Sequence, residues 1–182
     1  SMTKPIVSSA LMMLFEEGRL HLNDPIEKHL PELGDAQVLV EDDSEDGYHL
    51  EPARASVTAR HLLTHTSGYS YGESPLVGDV HRANRISAGF DNIDDTIGAW
   101  TKRLGCVPLR FQPGEGWEYG VSTDVLGRLV EVVSGQALDV FFGERILGPL
   151  GMVDTHFFLP PAKVRRLVDV YSWNEGGSPS KV

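Results

Sequence analysis

Apolar residues along this chain return mostly at steps of three and four, and runs that alternate in steps of two are rare. Such spacing builds amphipathic helices and leaves little material for a sheet. Ile6, Val7, Ala10, Leu11 and Leu14 place one stripe on a helix predicted over 3–17, with Gly18 as its stop. Val125, Leu126, Leu129, Val132 and Val133 do the same over 123–134, with Ser122 as N-cap and Gly135 as terminator. Further helices are expected over 59–65 behind Thr58, over 92–104 and over 137–147. Asn23-Asp24-Pro25 reads as a cap followed by proline at the first helical position, opening a short helix that ends before Pro31. Loops are expected at 41–46, where five of six residues are acidic, at the Gly/Ser/Tyr/Pro-rich stretch 69–78, and at 175–181. The one strand-like run is 167–173. The chain therefore reads as mostly α.

Its 182 residues, 41% hydrophobic and 23% charged, suit one soluble globular domain with a proper core. A lone cysteine, Cys106, excludes a disulfide framework and any cysteine-based zinc site. A net charge of −10, with no offsetting Lys/Arg stripe, argues against nucleic acid and anionic membranes as partners. The longest strongly apolar stretch, 10–15, is far shorter than the roughly 20 residues of a bilayer span. No signal peptide is visible, and the single free cysteine with the acidic balance points to the cytoplasm.

Four short patterns bear on chemistry. In Ser1-Met2-Thr3-Lys4 the first and last residues fall on one helical face, where a serine hydroxyl meets an amine. Such an amine serves as a base only if its pKa falls. The same pattern at Ser178-Pro179-Ser180-Lys181 lies in a Gly/Pro-rich tail that holds nothing in register. Gly68-Tyr69-Ser70-Tyr71-Gly72 fits the nucleophile elbow G-x-S-x-G, but a helical segment precedes it and Ser74-Pro75 and Gly78 follow. The strand–turn–helix context is missing, and Ser70 reads as a loop serine. His61 and His65 are four apart without the glutamate of H-E-x-x-H, so cap and packing roles are expected. The other five histidines form no evident cluster with carboxylates, and no metal or organic cofactor is implied. Trp117-Glu118-Tyr119-Gly120-Val121 sets a tyrosine between a glycine-rich turn and a helix. A free phenol is only about 0.1% ionised at neutral pH, and a neighbouring ammonium such as that of Lys4 would make it a usable base.

In order, S-M-T-K-P, R-H-L-L-T-H-T-S-G, F-Q-P-G-E-G-W-E-Y and D-V-L-G-R-L-V-E-V-V-S-G resemble the serine β-lactamase-like hydrolases over residues 1–158. That group holds class C β-lactamases, penicillin-binding DD-peptidases and family VIII carboxylesterases, and this chain is most similar to the last. The resemblance implies Ser1 as acylated nucleophile, Lys4 as its proton-handling partner and Tyr119 as general base. Position 121 departs from the lactamase pattern, since valine stands where asparagine contacts the β-lactam amide side chain. Family VIII esterases vary there too, and carry a non-catalytic G-x-S-x-G. Ester hydrolysis is therefore expected over lactam hydrolysis.

The resemblance also implies an α/β (α+β) fold of two parts, a helical region and an antiparallel sheet flanked by helices. Its last strands carry a third motif of K-T-G, H-x-G or W-G-G type and the second oxyanion donor. No such motif follows Tyr119, so residues 1–182 are expected to be the helical portion of that fold, incomplete at both ends, with most of the sheet missing. The expected function is a serine esterase acting on small acyl esters through a Ser1 acyl-enzyme. The enzyme alternatives are a β-lactamase or D-amino-acid peptidase, and an acyltransferase; the non-enzymatic one is an inactive fragment or binding module. The expected partners are a small ester or amide substrate and the remaining part of the same fold, on another segment or chain.

Overall fold

Two helices, α1 (Thr3–Glu16) and α5 (Ser122–Ser134), pack against each other and form the centre of the molecule. The computed structural model describes all residues except 46, 74, 87–94, 175, 176 and 182. Val7, Ala10, Leu11 and Leu14 of α1 face Val125, Leu126, Leu129 and Val130 of α5 in one buried cluster. Val132 lies on the outer face and Val130 takes the inward place expected for it. Gly18 and Gly135 end these helices in left-handed conformations (φ 70° and 75°). The Arg19 guanidinium donates to the Val133 carbonyl and ties the two C-terminal ends together.

Around this pair lie α2 (Ala59–Leu63), α3 (Pro75–Ala83), α4 (Ile97–Leu104) and α6 (Leu138–Phe142), which runs on as a π turn, Gly143–Leu147. Strands β1 (Gln37–Glu41) and β2 (Tyr48–Pro52) pair antiparallel, Leu39 opposite Leu50. A second antiparallel hairpin joins β3 (Tyr171–Trp173) to β4 (Pro179–Lys181). An isolated parallel bridge, Val38 to Leu109, hooks β1 to the chain that leads into the 112–116 turn.

Several expectations need correction. The hairpin β1–β2 was not expected; of the acidic run, Glu41 belongs to β1 and 42–45 are exposed between the strands, while position 46 lies outside the described residues. Helix α3 begins inside the stretch read as loop: its Pro75 occupies a first-turn position, where a missing N–H costs nothing. Helix α4 starts at Ile97, where the Thr96 side chain accepts from the Ala99 N–H; positions 92–94 lie outside the described residues. Pro25 stands at the N-cap position without a side-chain bond, ahead of a single 3-10 turn, Ile26–Lys28. Asn23 instead accepts from the Arg60 guanidinium at 2.7 Å. The expected strand at 167–173 shortens to β3, and its partner β4 falls in the tail read as loop.

Candidate active site

The site is built where the first turn of α1 meets the segment 117–121 that leads into α5. Lys4 lies one turn after Ser1, and its ammonium donates to the Ser1 hydroxyl at 3.4 Å. The Tyr119 phenol shares a hydrogen bond with the same Ser1 hydroxyl, and either oxygen can donate. The Lys4 Nζ also stands 4.5 Å from the centre of the Tyr119 ring. Ser1, Lys4 and Tyr119 are thus brought together, although Tyr119 is 118 residues from Ser1 in sequence.

Tyr119 is held by its backbone on both sides. The Glu118 N–H donates to the His65 carbonyl at 3.0 Å, and Gly114 donates to Thr66 at 2.8 Å. Arg110 reaches Glu118 at 3.8 Å and Glu41 at 3.4 Å, which ties the segment to β1. Gly120 lies so close to the Tyr69–Ser70 backbone that an added Cβ would stand 2.4 Å from the Tyr69 carbonyl oxygen. Only glycine allows that approach. Ser122 does not cap α5; its hydroxyl bonds Ser67 at 2.8 Å in a fully buried pair, and Ser67 also accepts from the Tyr69 N–H.

The Lys4 hydrogen bond, then that of Ser1, lowers the Tyr119 pKa below its ordinary value of 10.0, against a weaker opposing effect of burial. Burial pulls Lys4 down, but the phenols of Tyr119 and Tyr71 outweigh it, and the net shift is upward from 10.5. The ammonium therefore stays charged, and of the two groups the acidified phenol gives up its proton first. Tyr71 packs edge-on to Tyr119 at 5.7 Å, its own pKa raised by burial in spite of Lys4. Asp124, in the first turn of α5, has its pKa raised by the surrounding protein, although the residue is open to solvent. Neither Tyr71 nor Asp124 stood out in the sequence. One lay in the rejected G-x-S-x-G, the other among the polar positions of a helix.

Ser70 is buried, 2% exposed, and its hydroxyl accepts from the Gly72 N–H at 3.1 Å. The pattern around it is a packing device: a Cβ on Gly68 would stand 2.6 Å from the Phe111 carbonyl oxygen, and one on Gly72 would meet the His81 ring. A helix, α3, does follow the motif, contrary to expectation, but α2 rather than a strand precedes it. His61 completes a capping box with Thr58, and His65 packs against the Tyr119 ring. His49 departs from the expected scatter, bonding Asp42 at 2.6 Å and Glu51 at 3.3 Å on the exposed hairpin. Among the described residues no group of three or more His, Cys, Asp or Glu is placed to hold a metal, and no helix is long and apolar enough to cross a membrane.

The family described as Beta-lactamase matches residues 1–181. The chain belongs to the beta-lactamase family. Protein Rv1367c of Mycobacterium tuberculosis is 39% identical over 178 residues, covering 96% of this chain and 42% of that protein. Esterase EstB of Burkholderia gladioli is 39% identical over 157 residues, 86% of this chain and 37% of that protein. The solved structure of EstCE1, a hydrolase with promiscuous acyltransferase activity, superposes with a TM-score of 0.81 at 27% identity, over 100% of this chain and 44% of that one. This beta-lactamase-family chain thus spans less than half the length of the curated relatives it matches. Its helices, with two small hairpins, have the beta-lactamase-like fold.

Proposed function

We propose that this chain carries the acylation centre of a serine esterase, with acyl transfer to an alcohol as its close variant, acting on small acyl esters. The observation that carries the reading is the meeting of Ser1, Lys4 and the acidified Tyr119 phenol on one hydroxyl oxygen. As phenolate, Tyr119 takes the Ser1 proton while Oγ attacks the ester carbonyl. The tetrahedral adduct collapses, the bond to the alcohol oxygen breaks, and the Tyr119 phenol returns the proton to that oxygen. Water or an acceptor alcohol then attacks the acyl-enzyme, giving up its proton along the same path. Lys4 remains an ammonium throughout and holds the phenolate in its ionised form.

The ester reading is supported by the name of Esterase EstB and the description of EstCE1, a hydrolase with promiscuous acyltransferase activity. Val121, 1% exposed, faces the core and offers a lactam amide nothing to bond. The remaining part of the family fold, as another segment or chain, would supply the third motif and a second oxyanion donor. Losing one such donor costs about 10²–10³ in rate.

Intact-mass analysis after fluorophosphonate treatment, with peptide mapping, tests the nucleophile; one adduct on Ser1 is expected. Tyr119→Phe should slow its formation about 10²–10⁴-fold. Labelling should rise with pH as Tyr119 ionises below its ordinary 10.0, and fall only once Lys4 loses its proton above 10.5. Turnover of p-nitrophenyl butyrate but not nitrocefin would support ester over lactam chemistry, and an added alcohol would reveal transfer. An unlabelled Ser1 would favour an inactive binding module.

A further inference from the structure

His65 follows α2 in the left-handed conformation, φ 57°, a costly state for a residue with a side chain. Two contacts follow from that turn of the backbone. The His65 carbonyl accepts the Glu118 N–H, next to Tyr119. The imidazole is laid against the Tyr119 ring at 5.1 Å and 37°, and against Trp117 at 6.1 Å and 64°. Tyr119 is therefore bracketed by His65 and by Tyr71, with Lys4 over the ring. The His65 Nδ1 is buried and has no hydrogen-bond partner. A neutral ring can leave that nitrogen as an unused acceptor, whereas an imidazolium would bury an N–H with nothing to receive it.

We infer that His65 is a positioning residue that holds the Tyr119 ring against Lys4 and Ser1, and that it does so only as the neutral imidazole. This rests on the acylation role proposed above. The groups facing His65 oppose its protonation: Lys4 on α1 is a cation, Trp117 carries no charge, the Tyr119 phenol is bonded to Ser1 beside Lys4, and the Glu118 carboxylate is turned to Arg110. Burial, and then the Lys4 charge, hold the His65 pKa below its ordinary 6.5. On acidification the ring must leave its place to gain a partner for its second N–H, and Tyr119 loses its backing.

The test compares wild type, His65→Ala and His65→Phe in two measurements. In the first, the rate of fluorophosphonate labelling is followed across pH. His65→Ala should slow it by up to about a hundredfold, the scale of a misplaced reacting group. His65→Phe keeps a flat ring without a titrating nitrogen, so it should recover most of that loss and keep only the acid-side fall due to Tyr119, without the additional loss of rate that wild type shows below pH 6.5. In the second, the Tyr119 phenol is titrated by ultraviolet difference spectroscopy, with Tyr119→Phe as blank. Its pKa should move back toward the ordinary 10.0 in His65→Ala and stay low in His65→Phe. An unmoved titration in His65→Ala overturns the inference even if Ser1 labels well. A silent or differently labelled wild type overturns the acylation role, while the titration still decides what His65 does to Tyr119.

Discussion

The α1–α5 pair and residues 150–173 both carry many large apolar side chains, and these have opposite fates. Leu11, Leu14, Val125 and Leu129 are buried to within 1%. Leu150, Phe158, Val168 and Trp173 stand 70%, 84%, 77% and 77% exposed. Helical spacing explains the first group, since one stripe on each helix meets the other. In the second group Trp173 ends the three-residue β3, and Leu150, Phe158 and Val168 lie in turns and connections on either side of the 3-10 turn Pro161–Arg166, which have no wide face to pair with. If the remainder of the fold acts with this chain, these are the side chains it would cover. The proposed catalytic group lies at the N-terminal end of α1, where Ser1 and Tyr119 are both exposed.

That contrast can be broken in steps. Leu129→Ala should cost about 2–5 kcal/mol in chemical denaturation, because the helix pair cannot collapse around the hole. A smaller loss would mean the pair is less tightly packed than its burial indicates. Gly120→Ala should cost about 1–3 kcal/mol, since its Cβ meets main chain that cannot move aside. Its mark is a fall in Ser1 labelling larger than that of Leu129→Ala at matched folded fraction. Val168→Ser and Phe158→Ser should change stability by no more than about 0.5 kcal/mol and reduce self-association in sedimentation; a large destabilisation of the monomer would erase the contrast.

The smallest effect belongs to the β1–β2 hairpin. Hydrogen bonds from Ser44 and then His49 lower the Asp42 pKa from 3.8 to about 2. Its contribution is whole above 3.8 and is lost as pH falls from there through about 2. His49 has its pKa raised by Asp42 and then Glu51, so its contribution is whole below 6.5 and fades as pH rises through the raised value. Hairpin amides should be best protected from exchange between pH 3.8 and 6.5, and His49→Ala should flatten that profile. Both residues are exposed, which keeps the effect small.

How much of this was legible depends on where the deciding neighbour lies. Helices α1, α5 and α6 with its π turn follow from spacing and glycine stops, because a stripe and its terminator are close in sequence. The approach of Lys4 to Ser1 is likewise one helical turn. Helix α3 was hidden because Gly78 read as a breaker. It is there for space, since a Cβ would stand 2.6 Å from the Gly72 carbonyl oxygen. The hairpin β1–β2 was hidden by its acidic connection, although Val38 and Leu39 reach the core. Ser122 had the chemistry of a cap but found Ser67 instead, across 55 residues. The left-handed turn at His65 has no local signal, because segment 114–118 holds it in place.

The hydrogen bond between Ser1 and Tyr119 also bears on how the molecule assembles. It closes a loop of 118 residues, a separation that the chain cannot bridge by local structure. Contacts this distant form late, after the helices between them have found each other. An emerging or refolding chain would carry its serine in an idle state until that last closure. The appearance of reactivity at Ser1 would then serve as a clock for the end of folding, set by a single covalent probe.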